Sequence, residues 1–167
     1  VCSSDLEKLV EICGYENLNA VDLSDSAIRQ CQDRLRQKKE KGFIKKDAEI
    51  NYQVADVRSM SSLFANNSVE GIFEKGTLDA IMSSSEDGSG VEDIKDVYLE
   101  AMRILDHTST RNSPVFIAIS NMPEQILLSA LNPLLLPEYL KTITIEAKGY
   151  NGNVYVHIMQ KPKEEMY

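Results

Sequence analysis

The residue whose position most clearly suggests chemistry is Asp22, which ends a short apolar run beginning at Leu18. Ser24 follows where a helix N-cap belongs, and apolar residues then recur at helical spacing. The segment therefore predicts a buried strand that ends in a carboxylate and turns straight into a helix. In an open α/β sheet, ligands bind outside the carboxyl ends of the strands, and an acid there commonly accepts from both hydroxyls of a ribose. The alternative is that Asp22 only caps a turn. The residues alone leave both interpretations open.

Two more predicted strands also end at acids. The run 50–55 ends at Asp56, and the run 69–73 ends at Glu74, which opens the segment Glu-Lys-Gly-Thr-Leu-Asp-Ala. This segment has a structural interpretation too, because a glycine permits an unusual backbone and Thr77 is placed to cap a helix starting at Leu78.

The order of elements predicts an α/β fold. The pattern gives helix, strand, helix, strand, strand, helix, strand, helix, strand, strand. The last two strands, 139–147 and 154–160, flank Asn151-Gly152, a strong hairpin signal. We therefore expect a Rossmann-like, mostly parallel sheet that ends in an antiparallel hairpin.

Charge limits the class of partner. Of the 167 residues, 18 are Lys or Arg and 26 are Asp or Glu, so the net charge is −8. An acidic chain is repelled by phosphate backbones, which argues against nucleic acid as the main partner. The same charge would favour a cationic partner such as a lysine-rich protein surface. The alternative is that the charge has no bearing on a partner, because many soluble cytosolic proteins are acidic. The basic run 34–41 is interpreted as the solvated face and C-terminal end of a helix, where cations suit the dipole.

Other residue patterns point to a cytoplasmic protein without a metal. The three cysteines are an odd number without metal-ligand spacing, which predicts reduced thiols. No apolar run is long enough to span a bilayer, and no signal peptide is visible. The sequence makes no prediction of oligomeric state.

The order of elements and the closing hairpin resemble the class I methyltransferases that use S-adenosylmethionine. More narrowly, residues 74–80 resemble a signature of the group that contains the lysine methyltransferases of elongation factor one-alpha. That group usually has Asp-Lys-Gly-Thr-Leu-Asp-Ala, so Glu74 is a conservative departure. Its cofactor loop and the following Gly-Tyr match the spacing of Ser3, Ser4 and Gly14-Tyr15 here.

The resemblance implies a role for each matching residue. Asp22 would bind the ribose hydroxyls, and Leu23 would pack against the adenine. Asp56 would accept from the adenine amino group, and Val57 would donate its backbone N–H to the ring. Glu74 would lie beside the methionine moiety or the incoming amine and would be the catalytic residue. The activity implied is methyl transfer to a lysine amine of a protein.

One departure from the family pattern is large. The first, central strand of the sheet and the leading glycine of the cofactor loop would stand before Val1, and Cys2 occupies the position of the second glycine. We therefore expect one methyltransferase-like domain over residues 1–167 that is incomplete at its N-terminus. Two alternatives remain open: a catalytically silent module that acts by protein contact, and a small-molecule methyltransferase or related transferase.

Overall fold

The structure is a computed structural model that describes residues 4–15, 17–84, 89–106, 114–146 and 152–160. The chain divides into two compact units, Val1–Val57 and Arg58–Tyr167. No helix within the described ranges is both long and apolar enough to cross a membrane.

The first unit contains two helices and two strands: α1 (Ser4–Cys13), β1 (Leu18–Asp22), α2 (Asp25–Glu40) and β2 (Ile50–Val54). The two strands are parallel, and the last residues of the two strands lie side by side. The carboxyl ends of β1 and β2 therefore meet at one edge of this two-stranded sheet.

The core of the first unit lies between α2 and its sheet. Ile28, Cys31 and Leu35 recur on one face of α2 and pack with the buried Ile50 and Tyr52 of β2. The helix begins as the sequence predicts, because the Ser24 Oγ accepts the N–H of Ala27 at 3.2 Å.

An ion pair network joins the two helices of the first unit. Glu7 on α1 is fully buried, and its carboxylate lies 2.7 Å from the Lys38 Nζ and 3.4 Å from the Arg34 Nε. The basic run 34–41 was expected to be a solvated helix face, but two of its cations, Arg34 and Lys38, are partners of a buried acid.

The second unit contains three helices and four strands. They are β3 (Gly71–Lys75), α3 (Thr77–Ser84), α4 (Gly90–Ile104), β4 (Val115–Ser120), α5 (Glu124–Leu131), β5 (Leu140–Glu146) and β6 (Asn153–Gln160). The strand order is β3-β4-β6-β5, with β3 and β4 parallel and the other pairs antiparallel. The expected mixed α/β fold and antiparallel hairpin are confirmed; the predicted turn residue Asn151 lies outside the described residues.

One face of the four-stranded sheet forms the core of the second unit. Phe116, Ala118 and Met159 are buried there, and His157 is buried among them. The His157 ring nitrogens lie 3.0 Å from the Thr142 hydroxyl and 2.9 Å from the Met122 carbonyl oxygen. Burial lowers the pKa of His157, so this histidine is a neutral structural residue.

The strand predicted at 69–73 begins two residues later. The N–H groups of Ser68 and Val69 donate to the Ile104 carbonyl at 2.8 and 2.9 Å. Because these groups are bound to the end of α4, the ladder with β4 starts only at Gly71.

Candidate functional site

Two of the predicted site acids, Asp22 and Asp56, lie at the carboxyl edge of the β1–β2 sheet. Asp22 is the last residue of β1, and Asp56 follows the end of β2 by two residues. The N–H of Ala55 donates to the Asp22 carbonyl at 3.1 Å, so the chain beyond β2 stays beside the end of β1. Neighbouring parallel strands therefore deliver both acids to one edge.

The surroundings of Asp22 combine polar and apolar groups. Its Oδ1 accepts the N–H of Ser24 at 2.8 Å, which fixes the carboxylate against the start of α2. Leu23 is 70% exposed although it is large and apolar. A carboxylate beside an exposed apolar side chain is the combination that a sugar and a flat ring require. Asp56 and Val57 are both half-buried at the same edge. The residues present therefore fit a nucleoside.

The predicted cofactor loop is described only in part. Ser4 is the first residue of α1, and Ser3 and Cys2 lie outside the described residues. The assignment of Ser3 and Ser4 to the cofactor stays a prediction.

Glu74 lies near the end of β3 in the second unit, on the sheet face that packs into the core. Its Oε2 accepts the N–H of Thr77 at 2.8 Å. Its Oε1 is buried and has no hydrogen-bond partner among the residues that the structure describes. A buried acceptor without a donor costs about 1–3 kcal/mol, and more if the group is charged. This second oxygen can therefore accept a hydrogen bond from a ligand or carry a proton.

Burial raises the pKa of Glu74 to about 7, although the N–H groups of Thr77 and Leu78 act in the opposite direction. The nearby charge of Asp79 adds to the rise. At neutral pH this carboxyl group exists in both its neutral and its ionised form, which is unusual for a glutamate.

The prediction that Thr77 caps α3 is wrong. The Gly76 carbonyl accepts the N–H of Ala80 at 3.0 Å, so Gly76, with φ +78°, is the N-cap and Thr77 is already helical. The carboxylate of Glu74 binds the free N–H of the first turn instead. An acid at a helix N-terminus also suits the helix dipole.

Asp79 is a polar residue of this region for which the sequence suggested no role. Its Oδ1 accepts the Ser120 hydroxyl at 2.9 Å and the Asn121 N–H at 3.1 Å. The Ser120 Oγ in turn accepts the N–H of Met122 at 2.9 Å. Asp79 therefore ties the end of β4 to α3. Its place inside the segment 74–80 was the only available signal.

Metal chemistry has no obvious site in the described part of the chain. No group of three or more His, Cys, Asp or Glu side chains there is arranged to hold a metal ion.

Comparison with known proteins shows similarity in structure but not in sequence. No family model matches the sequence, and no protein of curated function matches it. A S-adenosylmethionine-dependent methyltransferase from Methanosarcina mazei is 14% identical, with a TM-score of 0.60 over 86% of this chain and 81% of that one. TrmN from Thermus thermophilus is 14% identical with a TM-score of 0.64, covering 94% of this chain and 40% of its own.

A methyltransferase from Pyrococcus furiosus is 8% identical, with a TM-score of 0.62 over 95% of this chain and 68% of that one. At such identities the likeness concerns the path of the chain rather than individual side chains. The fold of this chain is that of the class I S-adenosylmethionine-dependent methyltransferases.

Proposed function

We propose that this chain transfers a methyl group from S-adenosylmethionine to a lysine amine of a protein. The observation that carries the proposal is the pair Asp22 and Asp56, which two neighbouring parallel strands bring to one carboxyl edge. Ligands of open α/β sheets bind at such an edge. The Methanosarcina neighbour, whose fold is similar, is a S-adenosylmethionine-dependent methyltransferase.

The first unit would hold the nucleoside of the cofactor. Asp22 would accept hydrogen bonds from both ribose hydroxyls, and the exposed Leu23 would pack against the adenine. Asp56 would accept from the adenine amino group, and the Val57 N–H would donate to the ring. S-adenosylmethionine supplies, when bound, a methyl group already activated on a sulfonium. The chain itself has to bind the cofactor, orient the acceptor and exclude water from the site.

Glu74 would orient the acceptor amine. A lysine amine has an ordinary pKa of about 10.4 and must lose a proton to water before it can attack. The unpartnered Oε1 of Glu74 would accept an N–H of that amine and so direct its lone pair. Because the pKa of Glu74 is about 7, this oxygen is an anionic acceptor mainly above neutral pH.

The test is methyl transfer by the purified chain with labelled S-adenosylmethionine, offered either a protein extract or a metabolite fraction. We expect label in protein and, after acid hydrolysis, in methylated lysine. Label only in metabolites would favour the small-molecule alternative. Cofactor binding without any transfer would favour the catalytically silent module.

A further inference from the structure

A groove of about 720 Å³ lies along β2, and its lining includes neither Asp22 nor Asp56. Its lining includes three consecutive residues of the strand, Ile50, Asn51 and Tyr52. Successive side chains of a strand point to opposite faces, so a groove that touches all three runs along the edge of the strand. Of the described strands, β1 alone pairs with β2, so this is the outer edge of the sheet. The C-terminal half of α2 forms the other wall of the groove.

The wall formed by α2 and the loop after it is basic. Arg36, Lys39 and Lys46 line the groove, together with the acidic Glu40. Arg36 pairs with Asp33 at 2.8 Å. Lys39 and Lys46 form no ion pair within the described residues. These two lysines are available to an anionic partner.

The groove borders a stretch of the chain that is rich in cations. Residues 29–46 contain eight of the 18 Lys and Arg residues but two of the 26 Asp and Glu residues, so the stretch sums to +6 and the rest of the chain to −14. Four of these cations already pair with acids: Arg29 with Asp25, Arg34 and Lys38 with Glu7, and Arg36 with Asp33. The other four, Lys39, Lys41, Lys45 and Lys46, form no ion pair within the described residues, and Lys39 and Lys46 line the groove.

We propose that this groove binds an extended acidic peptide segment of a partner protein. Lys39 and Lys46 would pair with its carboxylates. A groove beside an unpaired strand edge suits an extended chain, which can add to the sheet as a further strand. A nucleic acid fits less well, because a polyphosphate that extended beyond the groove would meet a surface of net negative charge.

The experiment measures fluorescence anisotropy of a labelled peptide of alternating Glu and Val residues with the full chain, without cofactor. A peptide with Gln in place of Glu and a single-stranded RNA of the same length are the competing probes. We expect the Glu peptide to bind best, and its affinity to fall as salt rises because the contacts are partly exposed.

Two double variants distinguish binding in the groove from general attraction of the peptide to basic surface residues. In Lys39→Glu/Lys46→Glu the affinity for the Glu peptide should fall by about tenfold or more. The matched control, Lys41→Glu/Lys45→Glu, makes the same charge change on neighbouring lysines outside the lining and should alter affinity by less than about threefold. Equal losses in both variants, equal binding of the Gln peptide, or tighter binding of the RNA would overturn the proposal. Circular dichroism melts verify that both variants are folded.

Discussion

Asp22 and Glu74 are both acids near the carboxyl end of a parallel strand, yet their surroundings differ. Asp22 is followed by the exposed Leu23 and Ser24, and its carboxylate accepts the Ser24 N–H. Glu74 faces the core, and the first turn of α3 binds one of its oxygens while the other has no hydrogen-bond partner among the described residues. One acid is half-buried at a sheet edge, and the other is a buried group with a pKa of about 7.

The difference shows that position in the fold does not by itself assign a chemical task. A carboxylate at a sheet edge, beside an exposed apolar side chain, is suited to accept hydrogen bonds from hydroxyl groups. A buried carboxyl with a raised pKa is suited to interact with a group whose charge changes during a reaction. We therefore propose that Asp22 binds the cofactor and that Glu74 orients the acceptor.

Asp22→Ala should abolish cofactor binding, with Kd raised by about 100-fold or more, because two hydrogen bonds to a charged acceptor are lost together. Isothermal titration calorimetry measures this. Asp25→Ala is the matched control, since Asp25 is an exposed acid that pairs with Arg29 at 2.8 Å. Unchanged affinity in a folded Asp22→Ala variant would contradict the assignment.

Glu74→Gln should slow methyl transfer by about 100-fold while cofactor affinity stays within about threefold. An acceptor amine that is poorly oriented reacts more slowly, but its orientation does not affect binding of the methyl donor. Single-turnover kinetics and calorimetry on the same preparation separate the two effects. Glu70→Gln, a nearby change at an exposed acid, should leave both unchanged. An equal loss of affinity and rate would show that Glu74 belongs to the donor site instead.

The buried position of Glu74 also predicts a pH-dependent stability. Its folded pKa of about 7 lies above the ordinary 4.5, so the folded state holds the proton more tightly and the free energy of unfolding falls as pH rises between these values. Glu74→Gln removes this dependence. Between pH 4.5 and pH 7, the free energy of unfolding of the wild type should fall by up to about 3 kcal/mol relative to that of the variant. Urea unfolding of both proteins at several pH values provides the measurement. If the free energy of unfolding varied with pH in the same way in both proteins, Glu74 would not have a raised pKa.

Ser24→Ala should have the smallest effect, a loss of about 1 kcal/mol in the free energy of unfolding, because it removes the side-chain cap of α2. The Asp22 carboxylate keeps its contact with the backbone N–H at residue 24, so cofactor affinity should change little. Ser24→Thr should restore most of the stability. A large loss of affinity in Ser24→Ala would mean that the cap itself shapes the site.

The local part of this arrangement was predictable from the sequence. The apolar run before Asp22, the cap at Ser24 and the periodicity of α2 act over a few residues, and each predicts the element that the structure contains. The order of elements then predicted the fold class.

The rest depends on contacts between distant residues. Asp79 and Ser120 are 41 positions apart, and no sequence pattern near either residue predicts the hydrogen bond between them. The burial of Glu74 arises from the sheet face and α3 around it, so its raised pKa was not visible in the segment itself. The shifted start of β3 has the same kind of cause, since the end of α4 binds the residues before it.

Every role proposed above requires that this chain bind S-adenosylmethionine. Isothermal titration of the wild-type chain with S-adenosylmethionine measures that binding. We expect saturable binding with one ligand per chain, and competition by S-adenosylhomocysteine, which shares the same nucleoside. A folded wild-type chain that does not bind millimolar ligand would rule out the cofactor site.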